Sequence, residues 1–218
     1  MQIPRDASRL WQFLYVLFTP ILPLLCRLRV EGREWVPATG GCIVACNHSL
    51  GPDYFLLGYG SPRQVFYMAK MELFRVHPWF SRFLEAVGAF PVERGKSDTN
   101  AITAAETLLR RGKVLGMFPE GTRSRTGVLG RGKSGVVRIA QAAQAPIVPA
   151  VVINSGAVFK QLGRRPEVIV RFGPPIIFNE AENQQITAQA QIDVVMRAMA
   201  QLLPVEQRGI YGEPVIGE

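Results

Sequence analysis

Apolar positions along this chain fall into two patterns: short continuous runs, and longer stretches in which they recur every three or four residues. The short runs read as strands buried on both faces, over residues 28–32, 41–46, 64–69, 88–92, 114–118, 147–153 and 167–172. Gly41-Cys42-Ile43-Val44-Ala45-Cys46 is the most uniform of them. The spaced pattern predicts a helix over residues 98–111, with Ala101, Ile102, Ala105, Leu108 and Leu109 on one face, Asp98 as cap and Gly112 as stop. Residues 187–203 repeat the case, with Ile192, Val195, Met196, Met199 and Leu203 inward and Pro204 ending the helix. Met196 and Met199 read as core filling. A shorter helix is expected from Pro52 to Gly58. Strands alternating with helices predict one layered α/β domain, a central mixed sheet flanked by helices.

One stretch stands apart. Leu10 to Cys26 is almost continuously apolar, interrupted by Gln12, Thr19, Pro20 and Pro23. As a helix its 17 residues would reach about 25 Å, short of the roughly 30 Å hydrocarbon core. Either proline would kink or end it sooner. Cys26-Arg27-Leu28-Arg29 offers no small-residue cleavage site. Arg5 and Arg9 before it and Arg27 and Arg29 after it leave no charge asymmetry to orient it. The expectation is a membrane-associating segment over residues 1–27, a helix embedded at one leaflet, ahead of the α/β domain over residues 28–218. A helix packed into the core and a short true span are the other readings.

Composition narrows the partners. The formal charge is +8, from 25 basic and 17 acidic residues, which suits nucleic acid, anionic lipid or phosphorylated ligands. No finger, ribonucleoprotein or basic-zipper pattern occurs and the aromatics do not interleave with the cations, so nucleic acid is set aside. Three cysteines, Cys26, Cys42 and Cys46, lack the spacing of a disulfide framework and read as buried thiols of a reducing, cytoplasmic-side protein.

The chemistry sits in Asn47-His48-Ser49-Leu50-Gly51-Pro52-Asp53, directly after an apolar strand. An imidazole titrates near neutrality and can take a proton from a hydroxyl, while a carboxylate beside it fixes the tautomer and stabilises the imidazolium. About seventy residues on, Phe118-Pro119-Glu120-Gly121-Thr122-Arg123-Ser124 follows another strand. Between them lies Gly88-Ala89-Phe90-Pro91-Val92-Glu93-Arg94-Gly95, and after them the apolar block Pro146 to Ile153. Arg94 and Arg123 offer paired donors matched to phosphate oxygens; ion pairs with Glu93 or Glu120 are the structural alternative. Glu120 is an odd neighbour for a phosphate unless it orients Arg123 or binds a hydroxyl. Backbone amides near Ser49, Leu50 or Gly51 are the candidates for stabilising an oxyanion. Gly130-Arg131-Gly132-Lys133-Ser134 lacks the remaining spacing of a nucleotide loop, and no Gly-x-Ser-x-Gly elbow exists for a serine hydrolase.

In this order the four blocks resemble the glycerolipid acyltransferase family with the His-x4-Asp signature, most nearly its bacterial 1-acylglycerol-3-phosphate (lysophosphatidic acid) members, over roughly residues 30 to 180. The resemblance implies transfer of a fatty acyl group from acyl-coenzyme A or acyl-acyl-carrier-protein to the sn-2 hydroxyl of the lysophospholipid acceptor, giving phosphatidic acid. It implies His48 as base with Asp53 orienting it, and Arg94, Glu120, Gly121, Thr122 and Arg123 as substrate-binding residues. No metal or bound prosthetic group is required, since the acyl thioester is a co-substrate. The cations Arg123, Arg125, Arg131, Lys133 and Arg138 could receive coenzyme A phosphates, an acyl carrier protein or anionic headgroups. Association with the cytoplasmic face of a membrane, monotopic or peripheral, follows. The rivals are the same chemistry on glycerol 3-phosphate or another lysolipid, and a membrane-binding scaffold without catalysis.

Overall fold

The strand Cys42–Cys46 (β2) is the middle of a seven-stranded sheet, and all five of its residues are fully buried. That is the fate of a continuous apolar run with helices on both sides of its sheet. The computed structural model describes residues 7–92, 98–178 and 186–212. The other strands are β1 (Arg27–Glu31), β3 (Val65–Lys70), β4 (Ala89–Val92), β5 (Val114–Met117), β6 (Ile147–Ile153) and β7 (Glu167–Phe172), in the order β1-β7-β6-β2-β5-β3-β4. From β6 to β4 the strands are parallel; β7 runs antiparallel to β6, and β1 lies parallel to β7. The sheet is mixed, as expected, and the predicted strand limits are met within one residue at each end.

The helices are α1 (Arg9–Phe18), α2 (Leu22–Leu25), α3 (Asp53–Gly60), α4 (Met71–Phe74), α5 (Pro78–Ala86), α6 (Asp98–Arg110), α7 (Gly135–Ala143), α8 (Ala157–Lys160) and α9 (Ala188–Leu202). The pleat divides them between two cores. Ile43 and Ala45 point into one with Val137 of α7 and Met196 and Met199 of α9. Cys42, Val44 and Cys46 point into the other with Tyr15 of α1 and Leu56 of α3. Each fully buried side chain of this size contributes roughly 1.5–3 kcal/mol, so the central sheet holds the loops at its ends rigidly.

The N-terminal stretch is not the single helix expected over Leu10–Cys26. It breaks at Thr19-Pro20-Ile21, where Pro20 has no N–H for the ladder, and Pro23 is accommodated in the first turn of α2. One side packs on the sheet: Tyr15, Leu22 and Cys26 are buried, Tyr15 stacks on Tyr59 at 4.4 Å, and Phe18 meets the edge of Phe55 at 5.1 Å. The other side leaves Phe13, Val16, Leu17 and Leu24 exposed. The stretch is apolar all round because its two faces meet different surroundings. Among the described residues no helix is long and apolar enough to cross a membrane.

Candidate active site

The five parallel strands turn their C-terminal ends to one edge, where the loops after β2, β5 and β6 converge. Asn47 ends β2 with its side chain rather than its backbone in the ladder. Its Oδ1 accepts from Val152 N at 2.8 Å and its Nδ2 donates to Val152 O at 3.2 Å. This keeps β6 satisfied while the main chain leaves the sheet and projects His48.

Almost every polar group of His48 is held. Its N–H donates to Glu120 Oε1 at 2.8 Å, its carbonyl accepts from Ser124 N at 2.7 Å, and its Nδ1 lies 2.9 Å from Asp53 Oδ2. The ring stacks on Phe118 with centroids 4.1 Å apart. Since a carboxylate only accepts, Nδ1 carries the proton and Nε2 presents a lone pair. Nε2 alone has no protein partner among the described residues.

Asp53 is the first residue of α3 and is fully buried. Oδ2 also accepts from Ser49 N at 2.7 Å; Oδ1 accepts from Ser49 Oγ at 3.0 Å and from Ser155 Oγ. The two serine oxygens are themselves 2.6 Å apart. Ser155 lies on the turn after β6, pressed against Gly51: a Cβ on Gly51 would stand 2.3 Å from its Oγ and 2.4 Å from its carbonyl carbon. Glycine is therefore the residue that fits there. Ser155 was invisible to sequence reasoning, because a lone serine in a turn carries no motif.

Glu120 binds backbone on both oxygens. It is buried, and its second oxygen accepts from Gly130 N at 2.8 Å, so it ties the His48 loop to the loop after β5. Burial pushes its carboxyl above the usual range, and the His48 and Gly130 N–H groups pull it part of the way back. Both of its oxygens are engaged by backbone, and neither pairs with Arg123. Gly121 makes the turn at a φ of 69°, its N–H donating to Phe118 O at 3.0 Å. Thr122 and Arg123 are exposed; Arg123 directly precedes Ser124, whose N–H holds His48. Arg94 lies outside the described residues. Arg125, Arg131, Lys133 and Arg138 are all exposed.

Of the three amides weighed as oxyanion donors, that of Ser49 is committed to Asp53. That of Gly51 reaches Ser49 Oγ at 3.4 Å, and Leu50 N makes no bond among the described residues.

A cavity of about 700 Å³ opens beside His48 and Gly121 and runs between β3 and β5 on one side and α1, α3 and α5 on the other. Its walls are apolar and aromatic, among them Trp11, Phe18, Phe55, Tyr67 and Phe83. Tyr67 donates to Tyr54 O at 2.9 Å, and its ring fits because residue 116 is glycine, where a Cβ would stand 2.4 Å from it. Thr122 and Glu120 line a separate, smaller hollow of about 350 Å³ with Ser124, Thr126 and Arg131. The arrangement can therefore move a proton at the wall of a large apolar cavity.

The chain belongs to the acyltransferase family, whose model matches residues 27–153. It is 34% identical over 182 residues to a 1-acyl-sn-glycerol-3-phosphate acyltransferase of Bacillus subtilis, covering 83% of this chain and 88% of that one. A protein of the same name from Pseudomonas aeruginosa is 26% identical over 198 residues, covering 87% and 76%. Among solved structures, the 1-acyl-sn-glycerophosphate acyltransferase PlsC of Thermotoga maritima superposes with a TM-score of 0.64 at 23% identity, over 88% of this chain and 79% of that one. The fold is shared with it.

Proposed function

We propose that this chain transfers a fatty acyl group from a thioester to the free sn-2 hydroxyl of a 1-acylglycerol 3-phosphate, giving phosphatidic acid. One observation carries the proposal: His48, held on Asp53 with Nε2 free, lines an apolar cavity of about 700 Å³. The names of the Bacillus and Pseudomonas relatives support the acceptor.

His48 Nε2 removes the proton of the acceptor hydroxyl as its oxygen attacks the thioester carbonyl. The tetrahedral intermediate then collapses, the C–S bond breaks, and the imidazolium returns the proton to the departing thiolate. Asp53 holds the ring throughout. Glu120 fixes the His48 backbone, a positioning role beside the substrate-binding role expected for it. Arg123, exposed on the loop after β5, and Arg94 grip the acceptor's phosphate. The cations around Arg131 receive the phosphates of coenzyme A or the acidic surface of an acyl carrier protein. The exposed apolar face of α1 and α2 rests in the cytoplasmic leaflet, so that the acyl chain reaches the cavity without crossing water.

The test is thiol release by the purified protein with palmitoyl-coenzyme A, with and without lysophosphatidic acid, wild type beside His48→Ala and the product identified by mass. Acceptor-dependent release, phosphatidic acid and loss in the variant are expected. Release without acceptor would make the protein a thioesterase. Acylation of glycerol 3-phosphate instead would keep the chemistry and overturn the acceptor.

A further inference from the structure

The edge of the sheet that carries His48 has another projection, the connection from β6 to β7. Residues Phe159 to Arg165 are exposed without a break. Two are large and apolar, Phe159 at 66% and Leu162 at 69% exposure; three are cationic, Lys160, Arg164 and Arg165. Single exposed apolar residues are ordinary, but two of them three positions apart among three cations form a compact amphiphilic tip.

The tip is built, not loose. Gln161 N donates to Ala157 O at 2.8 Å and Arg164 N to Gln161 O at 2.9 Å. Gly163 and Arg165 turn at φ of 84° and 52°, and Arg165 holds a left-handed conformation that favours glycine. None of the three cations forms an ion pair among the described residues. The only acid between residues 154 and 167, Glu167, is engaged by Arg29 at 3.5 Å.

Its position ties it to the apolar face described above. Arg27 N donates to Pro166 O at 2.9 Å, joining the foot of the tip to the end of α2, where Leu24 is 67% exposed. At the other end, Ser155 touches Asp53 in the site itself. A protein partner of ordinary affinity would need a broad surface of a thousand Å² or so, which two apolar side chains on a turn do not offer. A bilayer asks less: shallow burial of a few apolar groups, with cations at the level of lipid phosphates.

We infer that the Phe159–Arg165 turn is a second membrane anchor, inserting Phe159 and Leu162 among the headgroups of an anionic bilayer while Lys160, Arg164 and Arg165 lie on its phosphates. It extends the apolar face of α1 and α2 along the His48 edge. The inference rests on the membrane reading proposed above and is independent of the reaction.

Single cysteines at two positions test it, Leu162→Cys and Phe13→Cys, each labelled in the full-length protein with a polarity-sensitive fluorophore. The three native cysteines are buried, so the labels stay where they are put. With phosphatidylglycerol vesicles carrying shallow quencher lipids, the label at position 162 should brighten and be quenched; with phosphatidylcholine alone it should not. Adding Lys160→Gln and Arg164→Gln should weaken vesicle partition roughly thirtyfold, about one kcal/mol for each charge removed. A response at position 13 with none at 162 would overturn the second anchor and leave the membrane reading standing. Silence at both positions would overturn both. An equal response on neutral vesicles, or partition unmoved by the charge removal, would also overturn the inference as stated.

Discussion

The hydroxyl of Ser155 donates to Oδ1 of Asp53 across 102 residues of sequence, joining the turn after β6 to the first residue of α3. Removing it leaves that oxygen with the Ser49 hydroxyl as its remaining partner. Hydrogen bonds to charged groups contribute about 1.5–3 kcal/mol. Ser155→Ala should lower kcat about tenfold, the equivalent of the lower figure because the Ser49 hydroxyl remains. The KM of both substrates should stay unchanged, because the substitution acts on the base and touches neither ligand. Steady-state kinetics with donor and acceptor varied in turn check this; a change confined to KM would place Ser155 in a binding surface instead.

His48→Ala should lose about a hundred- to ten-thousand-fold in kcat while its far-ultraviolet circular dichroism stays that of the wild type. Asp53→Asn should lose at least a hundredfold, since an amide facing Nδ1 no longer enforces the tautomer. Thiol release by either folded variant at the wild-type rate would remove the pair from the reaction.

Arg123 is exposed, two residues after Gly121 of the cavity wall, and makes no ion pair with Glu120. Arg123→Ala should raise the acceptor's KM ten- to a hundredfold, from about 1.5–3 kcal/mol of charge-assisted bonding, and leave the donor's KM alone. An unchanged acceptor KM would point to structure.

Gly58 lines the cavity, and the nearest atom to a Cβ there is Tyr67 Oη at 3.8 Å. A larger side chain has room only in the space proposed for the acyl chain. Gly58→Leu should therefore shift preference toward shorter acyl-coenzyme A donors, read as the ratio of kcat/KM along a chain-length series.

Glu120 gives the chain a pH signature. Its folded-state carboxyl lies above the unfolded one because of burial, so the native state binds the proton more tightly. Stability from this group is fully present below the unfolded value of about 4.3 and falls as pH rises through the higher folded one. Glu120→Gln removes that slope. It also turns an amide N–H toward one of the two backbone donors, which costs roughly 1–3 kcal/mol. Denaturant titrations of both proteins across that window should converge as pH rises; parallel curves would contradict the assignment.

Much of the architecture was legible because burial writes itself into composition. The fully buried β2 and β6 are unbroken apolar runs, and α6 and α9 carry one apolar face each with a stop at Gly112 or Pro204. Helices α5 and α7 went unread although signals existed: His77-Pro78 is a capped start, and Val136, Val137, Ile139 and Ala140 share a face within a stretch read for its cations. In the site, the contact of His48 with Asp53 was legible because both sit in one short loop. The contacts of Glu120 were not, since its partners are backbone N–H groups that leave no mark on side-chain identity. The N-terminal stretch misled for a related reason: hydropathy records that a residue is apolar, not whether Tyr15 or Phe13 meets protein or surroundings.

The pairing of β1 with β7 has a consequence for how the chain is made. Arg27 opens opposite Glu167, so the strand that anchors α1 and α2 has no neighbour in the sheet until some 140 further residues have been synthesised. Contacts so distant in sequence form late, after the entropy of closing the intervening loop has been overcome. Strand β1 therefore joins the sheet late, whereas the partners of α1 on α3, Tyr59 and Phe55, lie only some 40 residues on. The contact of α1 with α3 can therefore close before the sheet is complete.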